Sequence, residues 1–228
     1  MKKKVLRIGF CMILTLMMFF LYNQQQMQAK SAFALAQEEK SIYLTFDDGP
    51  SDSTTPLILD VLKREEVNAT FFIVGRQANR RPELVNRIKE EGHALGIHSY
   101  SHDYAQIYAN PTALLEDIEK CARTLEKITG VKTNLYRFPG GSFSLREELV
   151  NCVKEAGYNY VDWNASCRDA EILGADADTL FQAAIDTPAD RNKIILLMHD
   201  SAHRKNTVKA LEKIIRYYKD KGYTFKTL

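Results

Sequence analysis

From residue 41 onward, strand-like segments alternate regularly with segments that have the period of amphipathic helices. The strand-like segments are short, apolar and rich in β-branched or aromatic residues; they cover residues 42–46, 69–74, 94–98, 134–138, 158–163, 193–199 and 223–228. The helix-like segments occupy residues 54–66, 82–91, 111–129, 145–156, 178–187 and 205–220. Strand–helix–strand order predicts a parallel sheet, and six or seven strands predict an α/β fold that is either an open sheet or a (β/α) barrel.

The first 40 residues have a different composition. Residues 1–7 carry four positive charges, and the 15 residues that follow carry none, which is typical of a signal peptide and short for a membrane span. Small-residue cleavage sites at 32–36 lie more than ten residues beyond this apolar run, so an uncleaved N-terminal membrane anchor remains the alternative. We therefore predict a leader over 1–22, a Gln-rich linker over 23–40 and a domain over 41–228 that lies outside the cytoplasm.

Charge and cysteine content argue against two classes of protein. Residues 41–228 carry 25 basic and 27 acidic side chains, a net charge of −2, which argues against nucleic acid as the main partner. Cys11 lies in the leader, so Cys121, Cys152 and Cys167 remain, and no CxxC motif occurs. An odd number without that spacing argues against a disulfide framework or a structural zinc site. We expect either one disulfide and one thiol or three buried thiols.

Ionisable side chains stand at the ends of five strand-like segments. They are Asp47 and Asp48, His98, Arg137, Asp162 and His199, and a further histidine, His102, comes four residues after the third strand. The carboxyl ends of parallel strands meet at one edge of the sheet, where the active sites of such folds lie. The pattern therefore predicts that these side chains converge on one pocket.

Two histidines at i, i+4 spacing suggest a metal site. His98 and His102 supply two imidazole nitrogens, and either Asp47 or Asp48 would complete a His-His-Asp set, which suits Zn²⁺ with an open position for water. Successive strand side chains point to opposite faces, so we expect one carboxylate to bind the metal and the other to face the substrate. Without the histidines, Asp-Asp before Gly-Pro would be ordinary turn chemistry.

Five ordered motifs resemble those of the polysaccharide deacetylases, the NodB-homology or carbohydrate esterase family 4 domain. They are TFDDGP at 45–50, HSYSH at 98–102, RFPGG at 137–141, DW at 162–163 and LMH at 197–199. The resemblance spans almost the whole chain beyond residue 40, and it implies a distorted (β/α) barrel with a metal-dependent deacetylase activity. It further implies that Asp48, His98 and His102 bind one divalent ion, for which we expect Zn²⁺, with Co²⁺, Mn²⁺ or Ni²⁺ as alternatives.

The same resemblance implies four catalytic roles. Asp47 would act as general base on water, and Arg137 would orient it. His199 would act as general acid toward the leaving amine, and Asp162 would support His199. A histidine suits proton donation because its pKa lies near the working pH.

The resemblance also implies substrate contacts. Leu197 would help to form an apolar pocket for the acetyl methyl group, and Pro139 belongs to the third motif. That motif departs from the family pattern at Gly140, so the oxyanion donor is the N–H of either Gly140 or Gly141. Trp163 is counted with the substrate contacts, although we expect it chiefly to pack beneath the site.

Other polar and aromatic residues near the motifs receive simpler interpretations. We expect Asp103, Asp169 and Asp200 to be solvated or to cap helices. Tyr100, Tyr104 and Tyr108 follow the second motif as an aromatic cluster. Core packing is the default for them, although rings exposed at a rim would suit the apolar faces of sugars.

These observations lead to one functional hypothesis with alternatives. We predict a secreted or membrane-anchored monomer that removes N-acetyl groups from the GlcNAc residues of an acetylated glycan, with peptidoglycan favoured. Membrane contact is expected only through the N-terminal segment. Chitooligosaccharide, muramic acid and acetyl-xylan are alternative substrates, and a catalytically inactive wall-binding domain of the same fold is the alternative of a different class.

Overall fold

The computed structural model describes residues 17–20, 22–27, 39–188 and 191–228. The chain separates into two units, Met1–Glu39 and Lys40–Leu228. In the first unit, residues 17–20 and 22–27 are helical with exposed side chains. The rest of the predicted leader (1–22) and residues 28–38 of the predicted linker (23–40) lie outside the described residues. Across the described part of the chain, we find no helix with the length and hydropathy of a membrane span.

The second unit is built around one eight-stranded sheet. Its strands are β1 (Ser41–Asp47), β2 (Thr70–Ile73), β3 (Ala94–Ile97), β4 (Leu135–Tyr136), β5 (Asn159–Tyr160), β6 (Ala165–Ser166), β7 (Lys193–His199) and β8 (Thr224–Phe225). They are hydrogen-bonded in the order β5-β4-β3-β2-β1-β7-β6, with β8 paired to the start of β1. Every pairing is parallel, as the alternation of strands and helices predicts.

The sheet curls into a distorted barrel. Strands β5 and β6 stand at opposite ends of the hydrogen-bonded path, yet only residues 161–164 separate them in the chain. Five Cα–Cα steps span at most about 18 Å, so the two ends of the sheet must lie close together. The predicted (β/α) barrel is therefore confirmed.

Helices surround the sheet. They are α1 (Thr55–Arg64), α2 (Gly75–Arg80), α3 (Pro82–Glu90), α4 (Tyr104–Ile107), α5 (Pro111–Thr129), α6 (Glu147–Glu155), α7 (Ala177–Asp186) and α8 (Lys205–Asp220). Six of them match the predicted segments to within about two residues. The sequence pattern misses α2, α4 and β6 because segments of two to six residues are too short to show a period.

The apolar faces of the helices and the strands form one core. Strand β1 is buried along almost its whole length, as expected for a central parallel strand covered on both faces. Helix α8 buries Leu211, Ile214 and Ile215 in this core. Burying each such side chain contributes about 1.5–3 kcal/mol, so the helix is held by its apolar stripe. The same core fixes the register of the strands whose ends carry the polar residues.

The three cysteines of this unit are thiols. Cys121 and Cys167 are buried and Cys152 is half-buried, and none forms a disulfide. Burial raises the pKa of the Cys121 thiol to about 12, so it packs as a small apolar side chain. Of the two expectations for the cysteines, three thiols is the correct one.

Candidate active site and metal centre

The predicted residues converge at the carboxyl ends of the strands. In the register of β1 with β7, Asp47 lies directly beside His199. His98 directly follows β3, and Arg137 directly follows β4. One cavity is lined by acid and histidine residues from these strand ends and the turns after them: Asp47, Asp48, His98, His102 and His199.

Asp48, His98 and His102 form a cluster with the composition of a metal site. One ligand atom from each lies within 4.8 Å of the others. Asp48 Oδ1 is 3.4 Å from His98 Nε2 and 3.1 Å from His102 Nε2. His98 Nδ1 donates to the Arg137 carbonyl at 3.0 Å, which leaves His98 Nε2 directed at the cluster as an acceptor. Two imidazole nitrogens and a carboxylate oxygen are a donor set that fits a divalent ion such as Zn²⁺.

Electrostatics keep Asp48 ionised. Burial raises the pKa of this carboxyl, but its interactions with the imidazoles of His102 and His98 outweigh burial and hold the pKa far below its usual range. In return, burial lowers the pKa of His102, while Asp48 raises it to a value above that of an ordinary histidine. The Asp48 carboxylate is therefore available in its ionised form, which is the form that binds a cation.

The turn that carries the two histidines is held by Asp117, a residue of α5. Its carboxylate accepts hydrogen bonds from Ser99 Oγ (2.5 Å), Tyr100 N (2.6 Å) and Ser101 N (2.9 Å). Ser99 Oγ in turn accepts from the N–H of His102 at 2.8 Å. Ser99 and His102 have positive φ angles of 74° and 54°, a backbone conformation that is uncommon for non-glycine residues and needs other contacts to hold it. Asp117 therefore supplies contacts that keep the turn in the conformation that brings both imidazoles to Asp48.

Asp47 is positioned by Arg137. Arg137 Nη1 donates to Asp47 Oδ1 at 2.9 Å, and both side chains are almost completely buried. Thr45 Oγ1 and the Val161 carbonyl accept the other guanidinium hydrogen bonds, at 2.7 and 2.9 Å. The structure thus places Arg137 where it can orient Asp47, as predicted.

The two adjacent aspartates do not point to opposite faces. Strand β1 ends at Asp47, and Asp48 has φ 78°, so the alternation of strand side chains does not apply to the second aspartate. Both carboxylates face the same cavity. Their proximity is tolerated because each has its own nitrogen-bearing partners: the guanidinium of Arg137 for Asp47, and the imidazoles of His98 and His102 for Asp48.

His199 is held by Asp169, and the prediction that Asp162 supports it is wrong. His199 Nδ1 lies 2.7 Å from Asp169 Oδ1, and the His199 N–H donates to Asp169 Oδ2 at 3.0 Å. Asp169 is buried and also accepts from Thr207 Oγ1 at 2.8 Å, so the expectation that it is solvated or a helix cap is wrong as well. Burial lowers the pKa of His199, but the hydrogen bond and charge of Asp169, followed by Asp47 and Asp48, raise it to about 9.

Asp162 has a different structural task. Its carboxylate accepts a hydrogen bond from the Ser142 N–H at 3.0 Å and a short one from the Ser142 hydroxyl, and its main-chain carbonyl lies 3.4 Å from Arg137 Nη2. Strand β5 ends at Tyr160, two residues before Asp162. The Asp162 side chain contacts the turn of the third motif and not His199 on β7. Asp162 therefore anchors the turn that follows β4.

Of the two glycines in the third motif, Gly140 is the one free to donate. The N–H of Gly141 donates to the Phe138 carbonyl at 2.8 Å, which rules it out as the oxyanion donor in this conformation. The N–H of Gly140 has no acceptor among the described residues, and Gly140 lines the cavity. Pro139 is buried, and its carbonyl accepts from the Tyr108 hydroxyl at 2.7 Å, so it supports the turn instead of lining the cavity.

Apolar and aromatic side chains complete the cavity wall. Leu197 and Trp163 both line it, and the guanidinium of Arg137 lies 5.7 Å from the Trp163 ring, so Trp163 both packs on the site and faces the substrate space. Tyr104 also lines the cavity with about half of its surface exposed. A Cβ at Gly140 would come within 3.1 Å of the Tyr104 hydroxyl, so the glycine makes room for this ring.

Asp200 is buried behind the aspartate turn. Its Oδ2 accepts from Thr55 Oγ1 at 2.7 Å, whereas Oδ1 has no partner within the described part of the chain. Burial, with smaller contributions from Asp48 and Asp47, raises its pKa to about 7. A Cβ at Gly49 would lie 2.0 Å from the Asp200 carboxyl, so this turn requires glycine. Asp200 is therefore neither solvated nor a helix cap, in contrast to the expectation.

Comparison with known proteins places this architecture in one family. The family model described as "Polysaccharide deacetylase" matches residues 34–161. The peptidoglycan-N-acetylglucosamine deacetylase of Bacillus cereus is 35% identical over 194 residues, which cover 83% of this chain and 69% of that protein. The peptidoglycan-N-acetylmuramic acid deacetylase PdaA of Bacillus subtilis is 35% identical over 193 residues, 84% of this chain and 71% of that protein. A CE4 esterase structure from Streptococcus mutans superposes with a TM-score of 0.78 at 35% identity and covers 88% of this chain and 90% of that one.

Proposed function

This chain belongs to the polysaccharide deacetylase family, and from that premise we propose that it removes N-acetyl groups from the N-acetylglucosamine residues of peptidoglycan. The observation that carries the proposal is the meeting of a base, a metal-ligand set and an acid in one cavity. Each group has its own partner: Arg137 for Asp47, and Asp169 for His199. An inactive wall-binding domain would not need these partners.

The ion would be held by Asp48, His98 and His102, whose two nitrogens and one oxygen favour Zn²⁺. When bound, a divalent ion supplies Lewis acidity that polarises an amide carbonyl and makes water more acidic. His98 is already oriented for this role by its hydrogen bond to the Arg137 carbonyl.

Asp47 and His199 would transfer the two protons of the hydrolysis. Asp47 accepts a proton from water as the oxygen bonds to the acetyl carbon. His199 donates a proton to the amide nitrogen as the C–N bond breaks, so the products are acetate and a free amine. A pKa of about 9 keeps His199 protonated, as an acid must be, at neutral pH.

The cavity wall would stabilise the oxyanion and receive the acetyl group. The free N–H of Gly140 can donate to the oxygen that becomes negative in the tetrahedral intermediate. Leu197 is nearly buried and lines the same cavity, so it offers an apolar surface to the acetyl methyl group.

The relatives support the proposed polymer, and the relatives and the leader support the proposed location. Peptidoglycan is favoured because the similar proteins of B. cereus and B. subtilis bear the names of peptidoglycan deacetylases, although one acts on N-acetylglucosamine and the other on N-acetylmuramic acid. We propose that residues 41–228 form the catalytic domain outside the cytoplasm, with 1–22 as the export or anchoring segment and 23–40 as the linker.

An acetate-release assay tests the proposal. The metal-stripped protein is reloaded with Zn²⁺ or Co²⁺ and given peptidoglycan, chitin oligomers and acetyl-xylan, with bound metal measured in parallel. Acetate from peptidoglycan, with the free amine located on glucosamine by mass spectrometry of the digested glycan, supports it. A free amine on muramic acid would move the assignment to that sugar. No acetate from any glycan by the loaded protein would contradict the proposal and favour the wall-binding alternative.

A further inference from the structure

Two arginines beside the metal centre lack a charged partner. Arg76 and Arg80 lie four residues apart in α2, and their side chains are exposed. Among the described residues, neither side chain has an ion-pair or hydrogen-bond partner. The neighbouring Arg81, by contrast, is paired with Asp52 at 2.8 Å.

The spacing of these arginines is unfavourable for the isolated fold. Like charges at i, i+4 on a helix repel each other, whereas opposite charges attract. An anion placed between Arg76 and Arg80 would replace repulsion with two attractive contacts.

Both arginines line a second cavity that adjoins the catalytic one. This cavity is shared with the metal ligands Asp48 and His102 and includes the polar side chains of Gln77 and Ser101. The negative charge of Asp48 does not fill the need for an anion, because Asp48 is paired with the histidines.

The arginines are rigidly connected to the metal centre. The N–H groups of Gly75 and Arg76 donate to the carbonyls of Ser99 and Tyr100, each at 3.0 Å, in the turn between the two histidine ligands. A Cβ at Gly75 would lie 2.4 Å from Tyr100, so glycine permits this close approach. These backbone hydrogen bonds therefore fix the distance from the start of α2 to the turn that carries the two histidines.

We propose that Arg76 and Arg80 form a subsite that binds a carboxylate on the sugar next to the one being deacetylated. Guanidinium groups suit carboxylates because they can donate two parallel hydrogen bonds. This inference rests on the proposed function, since the alternating sugar of peptidoglycan carries such groups. The carboxylate has two sources: the lactyl group of muramic acid, or the stem peptide attached to it.

Four substrates separate these sources: peptidoglycan glycan with stem peptides, the same glycan after an amidase has removed them, the stripped glycan with its lactyl carboxyls amidated, and neutral chitin oligomers. The values of kcat/KM for acetate release are compared between the wild type and Arg76→Gln/Arg80→Gln. We expect the ratio for a carboxylate-bearing glycan over the amidated glycan to fall about tenfold in the variant. The ratio for the stripped glycan falls if the lactyl group is bound, and the ratio for the peptide-bearing glycan falls if the stem peptide is bound.

Two control variants sharpen the result. Arg76→Lys/Arg80→Lys keeps the charge but loses the fork geometry, so we expect an intermediate ratio. Arg64→Gln removes an arginine that pairs with Glu212 away from this cavity, and its ratio should match that of the wild type. Unchanged ratios in Arg76→Gln/Arg80→Gln, with acetate still released, would overturn the subsite and leave the proposed function standing. No acetate from any glycan by the metal-loaded wild type would overturn both.

Discussion

On one side of the active-site cavity, two histidines are held by a single short turn; on the other, one histidine is held by a carboxylate 30 residues away in the chain. We call the first the metal side (Asp48, His98 and His102, held by Asp117) and the second the acid side (His199, held by Asp169). Both sides use a buried or half-buried carboxylate to orient imidazoles. Only the metal side has a local spacing in the sequence, because two of its three residues, His98 and His102, share one turn.

Asp47 lies between the two sides, and its replacement should have the largest effect. Asp47→Asn keeps a hydrogen-bond acceptor for Arg137 but removes the base, so we expect kcat to fall by about 10³-fold while bound metal is retained. Acetate release and metal analysis on the same sample measure this. Loss of metal together with activity would show that Asp47 belongs to the metal side.

The next test separates the two sides directly. His199→Ala should lower kcat by about 10²-fold with metal still bound, because only proton donation is lost. His102→Ala should instead weaken metal binding, because a ligand is lost. Titration with Zn²⁺ against a competing chelator measures the affinity, and His203→Ala, on an exposed residue, is the control. Equal metal loss in the first two variants would contradict the division into two sides.

Asp169 tests how the acid side is tuned. Asp169 holds the pKa of His199 near 9, so wild-type kcat should decline only as the pH rises through about 9. Asp169→Asn removes the charge that raises this pKa, so the alkaline decline should move toward neutral pH, with about tenfold lower kcat at pH 8 to 9. A pH profile measures the shift, and Asp178→Asn, at an exposed ion pair, is the control. A profile identical to that of the wild type would show that Asp169 does not tune His199.

The same pair makes a prediction about stability. Because the pKa of His199 is raised above its usual 6.5, its protonation stabilises the folded state fully below that pH. The stabilisation is lost as the pH rises through about 9. Between pH 6 and pH 10, the free energy of unfolding, measured with denaturant, should therefore fall more for the wild type than for Asp169→Asn. Equal losses in the two proteins would argue against a stabilising Asp169–His199 pair.

Asp117 gives the smallest expected effect and tests the metal side. Asp117→Ala removes the acceptor of three hydrogen bonds in the histidine turn, and we expect about tenfold weaker Zn²⁺ affinity with an unshifted pH profile. Glu119→Gln is the matched control, because Glu119 lies on the same helix and pairs with exposed Arg123. Unchanged affinity in Asp117→Ala would mean that the turn holds its shape without this carboxylate.

Much of the fold and part of the site could be predicted from the sequence. Six helices and seven strands show a period or an apolar run, and the metal ligands show i, i+4 spacing. Asp169 could not be assigned because it lies in an irregular loop between β6 and α7, where neighbouring residues give no sign of its partner. The family resemblance implies Asp162 for this role, whereas its side chain contacts Ser142.

The sequence by itself determined the parallel α/β fold, since hydrophobic periodicity follows from which faces must be buried. It also predicted His98 and His102 as metal ligands from their i, i+4 spacing, while the choice of Asp48 came from the family resemblance. The tertiary structure alone decided which carboxylate supports His199 and which glycine N–H stays free. It also decided that Arg76 and Arg80 have no partner among the described residues and lie beside the candidate metal site. The physical reason is that a hydrogen bond or an ion pair forms between groups that are close in space. Their separation in the chain does not set that distance until the core has packed.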